Sequence, residues 1–389
     1  MKMPQRILSL SIALTLVVCS QAALLAQSAD ATKSIDAAVQ PYVDRQELAG
    51  AVMLVADQEK TLSLSAVGFA DIASQTPMKD DSIFWIASQS KPITAAALMM
   101  LVDEGKVKVD DPVEKYLPEF QGQMVVAEKD GEHVLLKKPV HPITVKNILS
   151  HTSGLPFASR IEQPTLDRLP LADRVRSYAM TPLEFEPDSK YQYSNAGINT
   201  AGRIIEVVTG KSFEAFLDER LFQPLGMTDA TFWPSEEQVA RIAKSYKPGP
   251  GGSGLEETTI SQLHYPLSDK AERYPMPAGG LFAKASDIAR FYQMLANEGE
   301  LDGKRYLSKE AVAMMTSRQT PEELPTGYGF GLSVGGDQFG HGGAYSTNSY
   351  YNKKQGLVFV WLVQHAGFPG KGGDAQGAFR NEASKQFSK

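Results

Sequence analysis

Strand-forming segments sit at the two ends of this chain, and a long stretch of helix- and loop-forming sequence separates them. Near the start, "AGAVMLVADQEKTLSLSAVGFAD" holds two β-prone runs, about Ala51–Ala56 and Thr61–Phe69, joined by the turn-prone "DQEK". After residue 326 strand signals return in "YGFGLSV", "NSYYN" and "GLVFVWLVQ", separated by the turn sequences "GGDQ" and "NKKQG". Compactness favours the early and late strands sharing one sheet. The expectation is an α+β fold: an antiparallel sheet of N- and C-terminal strands flanked by helices. A mostly helical lobe is inserted over about 105–320.

The helices follow from apolar spacing. Ile35, Ala38, Val39, Tyr42 and Val43 mark an amphipathic helix within Ser34–Glu47, and Asp374–Phe387 reads as a closing helix on the sheet. In the middle, "EKDGEHVLL" predicts a hairpin turning at Asp130-Gly131. "NAGINTAGRIIEVVTG" predicts a helix ending at Gly210. "SDIARFYQMLANEG" predicts a helix with Ser286 as N-cap and Gly299 just past its end. "KPGPGGSG", Lys247 to Gly254, reads as a flexible surface loop, a tolerated insertion or a lid over a site. The 389 residues, 42% hydrophobic, suit one large domain, placed at 34–387, or two closely joined ones.

The first residues have the pattern of an export leader. Lys2 and Arg6 precede an apolar run, Ile7 to Val18, and small residues follow in "SQAALLAQSADA". The expected leader is about residues 1–26, with cleavage between 22 and 29. Its loss takes the formal net charge from −6 to −8. That balance does not favour nucleic acid or an anionic membrane surface as partner. The only cysteine, Cys19, lies in the leader, where Val18 is a poor neighbour for lipid attachment. A periplasmic or secreted chain without disulfides or a membrane anchor is expected. No zinc signature and no Walker-type phosphate loop occurs, so no metal or cofactor is expected. The expected partner is a small-molecule or peptide substrate.

"ASQSKPITAAALMMLV", Ala87 to Val102, carries the first chemical signal. Ser88 and Lys91 are three apart, so a helix stacks them on one face. A serine hydroxyl needs a base, and a lysine serves as one only where burial lowers its pKa. The apolar run after Lys91 supplies such burial, and Pro92 is tolerated in a first helical turn. Alone, this pair is better read as a capping serine beside a surface lysine. A second element is Tyr193-Ser194-Asn195: a phenol near a lysine can shuttle protons, and an amide can hold a carbonyl, although Asn195 could simply cap the next helix. A third is "FGHGGAYS", His341-Gly342-Gly343-Ala344, where glycines bare a strand edge so that a backbone N–H can meet an oxyanion.

In this order the three elements resemble the serine β-lactamases and penicillin-recognising enzymes, especially the class C, D,D-peptidase and esterase branch. "NILSHTSGLP", the run from Tyr193 to Phe232, and "PAGGLFAKASDIARF" are similar to further segments of that family, so the resemblance covers roughly residues 34 to 366. It implies a β-lactamase/transpeptidase-like fold. It also implies Ser88 as acylated nucleophile, Lys91 as its activator and Tyr193 as partner base. Asn195 would contact Lys91 and substrate, with the N–H groups of Ser88 and Ala344 as oxyanion donors and His151 as a support. His341 and Gly342 stand where the family has lysine and threonine. Together they point away from efficient β-lactam hydrolysis and towards esters, D-amino amides or short peptides. A true class C-type β-lactamase, a D,D-carboxypeptidase, and a non-catalytic cell-wall peptide or β-lactam sensor stay open. Two decoys remain. Tyr350-Tyr351-Asn352 reads as a strand end. Ser333 in "GLSVG" fits a nucleophile elbow only if a helix follows it, and a hairpin is expected there instead.

Overall fold

The structure is a computed structural model and describes residues 29–388. The leader, with Lys2, Arg6 and Cys19, lies outside the described residues. A helix over 29–44, α1, comes first. Three strands follow: β1 (Gly50–Ala56), β2 (Thr61–Asp71) and β3 (Thr76–Pro77). Four more come late: β4 (Ser333–Gly335), β5 (Gln338–Gly342), β6 (Asn348–Asn352) and β7 (Leu357–Leu362). All seven form one antiparallel sheet in the order β4-β5-β6-β7-β1-β2-β3. The join between the two ends of the chain is the β1–β7 pair, with Val52 opposite Leu362 and Leu54 opposite Val360.

Both faces of that central pair are covered, so β1 and β7 are buried at every residue. Val52, Leu54, Val358 and Val360 face the large core shared with the helical lobe. Ala51, Met53, Val55, Phe359 and Trp361 face outward onto Ile35 and Val39 of α1 and Phe379 of α7 (Ala375–Phe387). Alternation along each strand thus fills two cores.

Helix α2 (Ser90–Asp103) is buried from Ser90 through Leu101. Its all-round apolar surface suits a helix with no solvent face. Against it pack α5 (Asn195–Thr209) and the helix Lys309–Thr316; α3 (Val145–Ser150) and α4 (Leu171–Ala179) pack on α5, and α6 (Ala285–Ala296) packs on β1 and β7. The hairpin at Asp130-Gly131 is present, pairing Val125–Lys129 with Val134–Lys137. Among the described residues no helix is long and apolar enough to cross a membrane.

Four local expectations are corrected or refined. "YGFGLSV" is strand only from Ser333, because Gly331 (φ +69°) presses its backbone against Lys91 and Ala95 of α2, where a Cβ would lie 2.7 Å from the Lys91 carbonyl oxygen. The N-cap of α6 is Lys284, not Ser286. Gly299, expected at the first position past the helix, lies one residue further on: the C-cap is Asn297, Glu298 (φ +53°) follows it, and Gly299 (φ +91°) comes next. The Lys247–Gly254 segment is the tip of a hairpin between Ser245–Pro248 and Leu255–Thr258.

Candidate active site

A single 3-10 turn, Ala87–Gln89, precedes α2 and carries Ser88. Ala87 has φ +47°, a left-handed conformation that costs a residue with a Cβ about 1–2 kcal/mol. The Ser90 hydroxyl donates to the Ala87 carbonyl (2.7 Å) and accepts from the Leu281 N–H (3.2 Å), which pins the turn to the segment around 280.

Lys91 has no solvent exposure. Its Nζ lies 3.1 Å from Ser88 Oγ, 2.8 Å from Asn195 Oδ1 and 2.7 Å from the Ala278 carbonyl oxygen. Burial holds its pKa well below the ordinary lysine value. A neutral amine has two N–H bonds and one lone pair. Asn195 Oδ1 and the Ala278 oxygen can only accept, so in the neutral amine they would take both N–H groups and leave the lone pair for the Ser88 hydroxyl. The cap of α5 is Ser194, whose Oγ accepts from the Gly197 N–H at 3.1 Å. Asn195 is thereby released from capping and reaches Lys91.

The Tyr193 ring lies 4.5 Å from Lys91 Nζ, and its hydroxyl interacts with Ser88. Burial drives its pKa up, with the Ser88 hydroxyl opposing. Tyr193 thus rests as a neutral phenol, able to pass a proton but not to sit as a phenolate. His151 ends α3 in a left-handed conformation (φ +62°) and packs between Tyr193 and Tyr328 at ring distances of 4.6 and 4.7 Å. Its Nδ1 accepts the Ser194 N–H, and burial keeps it neutral, aided by the nearby Lys91 and His341.

His341 is buried on β5. Its Nδ1 lies 2.6 Å from the Gly342 carbonyl oxygen, which can only accept, so Nδ1 carries the proton. Nε2 then accepts from the Tyr328 hydroxyl at 2.9 Å. Burial, together with Lys91, lowers its pKa to about 3, against a smaller opposing effect of the Gly342 backbone. Beyond it, Gly343 donates to the Thr347 carbonyl (2.7 Å) and lets the strand end lie against Ile86, two residues before Ser88. A Cβ there would sit 2.5 Å from the Ile86 carbonyl oxygen. Among the described residues Ala344 has no hydrogen-bond partner, so its N–H is free at the rim of the site.

Tyr328 and Ala278 were not legible as site residues. Tyr328 sits in a segment whose alternation reads as strand, and Ala278 contributes only a backbone oxygen. The decoys fall away: Ser333 is exposed on β4, and the chain turns into β5 with no helix after Val334. Tyr350 stacks on Phe359 across β6 and β7. Among the described residues no group of His, Cys, Asp or Glu could hold a metal.

The family model described as Beta-lactamase matches residues 35–380. The chain belongs to the beta-lactamase family. Members similar to it include Esterase EstB of Burkholderia gladioli, 32% identical over 69% of this chain and 71% of that protein. Penicillin-binding protein 4 of Amycolatopsis lactamdurans is also 32% identical, over 68% and 66%. Among solved structures, EstCE1, a hydrolase with promiscuous acyltransferase activity, superposes with a TM-score of 0.75 at 24% identity, covering 92% of this chain and 99% of that one. A D-amino acid amidase of Ochrobactrum anthropi does so at 0.70 and 22%, covering 92% and 100%. These two likenesses are of fold. The beta-lactamase fold with esterase and peptidase relatives makes this chain a serine hydrolase.

Proposed function

We propose that this beta-lactamase family member is an exported enzyme, with 34–387 as its catalytic domain, that acts through an acyl-enzyme on esters, D-amino amides or short peptides. The observation that carries the proposal is the buried Lys91 amine, with two pure acceptors for its N–H bonds and Ser88 on its third side. In the acylation step the Ser88 proton passes to Lys91 as Oγ attacks the acyl carbon. The developing oxyanion is met by the N–H groups of Ser88 and Ala344. The proton then passes, through Tyr193, to the departing alcohol or amine. Water repeats the sequence on the ester of Ser88 and restores the enzyme.

The substrate preference rests on His341. It carries no charge, and its one N–H is committed to its own strand's carbonyl, so it gives a substrate carboxylate no cation to bind. Neutral acyl groups fit such a site better than the anionic face of a β-lactam. Export rests on the leader pattern in about residues 1–26.

A fluorophosphonate probe should label the purified protein, and Ser88→Ala should abolish the label. Undiminished labelling of that variant would overturn the assignment. In a turnover panel, short-chain nitrophenyl esters should outrun a chromogenic cephalosporin, and fast cephalosporin turnover would reverse the substrate preference.

A further inference from the structure

Lys91 depends on two acceptors, and one of them is a backbone carbonyl. A carbonyl is only as well aimed as the chain that carries it. The peptide preceding Ala278 is held at both ends. The Pro277 oxygen accepts from the Thr94 hydroxyl at 2.8 Å, and the Ala278 N–H donates to Asn199 Oδ1 at 3.0 Å. Thr94 lies one turn beyond Lys91 on α2. Asn199 lies one turn beyond Asn195 on α5. Gly202, a further turn along, lets Pro277 approach so closely that a Cβ would fall 2.4 Å from the proline ring.

Asn195, Asn199 and Gly202 therefore form one stripe at i, i+4 and i+7 on α5. The first touches Lys91 directly and the other two seat the segment that supplies the second acceptor. Asn199 is itself immobilised. Its Nδ2 donates to the Tyr178 hydroxyl (3.0 Å), which donates to Glu162 Oε1 (2.7 Å). Glu162 pairs with the buried Arg174, and Asn199, Tyr178 and Arg174 are all fully buried.

We infer that Asn199, with Thr94, is a positioning residue: it orients the Ala278 carbonyl so that the Lys91 lone pair points at Ser88. This inference rests on the acyl-enzyme reading above. A chain holding Asn195 alone would leave the amine free to rotate about its one fixed bond, with the lone pair spread over several directions.

The test uses full-length protein and a neutral nitrophenyl ester. Thr94→Val is isosteric and removes one anchor of the peptide, Asn199→Ala removes the other, and Thr94→Ser keeps the hydroxyl. Both Thr94→Val and Asn199→Ala should lower kcat/KM at least tenfold with KM within a factor of two. The acidic limb of the pH profile should move to lower pH, because the ammonium form loses more than the amine when an acceptor drifts. Thr94→Ser should restore both readouts. A merely structural role would lower the melting temperature and leave the limb in place, and that outcome overturns the inference. If Asn199→Ala does not fold, Thr94→Val decides alone. Ser88→Ala separates the two levels: residual turnover there defeats the acyl-enzyme reading, whereas a dead Ser88→Ala with normal Thr94 and Asn199 variants defeats only this inference.

Discussion

Gly343→Ala places the sharpest demand on the site. The added Cβ would lie 2.2 Å from Thr347 Oγ1 and 2.5 Å from the Ile86 carbonyl oxygen. The first contact is the end of a side chain that can rotate away. The second is backbone, two residues before Ser88, and cannot. An ordinary contact begins at 3.4 Å, so the end of β5 and the turn bearing Ser88 must separate by about 0.9 Å. The two proposed oxyanion donors, Ser88 and Ala344, sit on opposite sides of that gap. A misplacement of about 1 Å costs on the order of 10²-fold in rate, equal to about 2.7 kcal/mol in the barrier. Overpacking adds about 1–3 kcal/mol of lost stability. Steady-state kinetics on a nitrophenyl ester, beside a thermal melt, checks both. A variant with full kcat would refute the idea that this contact sets the oxyanion site. Adding Thr347→Ala should recover stability but little of the rate, since the Ile86 clash remains.

Three further outcomes follow from buried charge. His341 and His365 are pushed down by burial to about 3 and about 4, so the unfolded chain binds protons that the native state refuses. Stability should fall as pH drops from about 6.5 towards those values, by about 1.4 kcal/mol per pH unit for each group, and His365→Gln should flatten the slope of melting temperature against pH. Asp287 has the opposite sign: burial raises it to about 6, so its contribution is full below 3.8 and lost as pH rises through 6. Asp287→Asn keeps an acceptor for the Asp229 N–H and should raise stability by about 1–3 kcal/mol at pH 8, with no gain near pH 4. Arg273→Met strands the buried Asp167 carboxylate, 2.7 Å from the guanidinium, and should cost about 3–5 kcal/mol in denaturant unfolding.

Local pattern carried much of the fold. The β1 and β7 runs are apolar at every residue, which marks central strands, and α2 is apolar enough to be a buried helix. Gly210, at φ +69°, ends α5 as its position implied. The candidate site was legible where chemistry sits on side chains in short motifs, as with Ser88, Lys91, Tyr193 and Asn195, which the fold brings together. It was hidden where the contributor is a backbone atom, such as the Ala278 oxygen, or a partner from a distant segment, such as Tyr328. Gly331 shows the cause. Its neighbours alternate like a strand, but contact with α2 decides its backbone, and that contact joins residues 240 apart.

The pairing of β1 with β7 also sets the timing of assembly. Val52 meets Leu362 across about 310 residues of intervening chain. Strand β1 therefore has only β2 as a sheet neighbour until nearly all of the chain is available. Contacts of such sequence separation fold slowly, because loop closure precedes any gain. A chain that cannot complete its sheet early remains threadable for longer, which is compatible with the export proposed above.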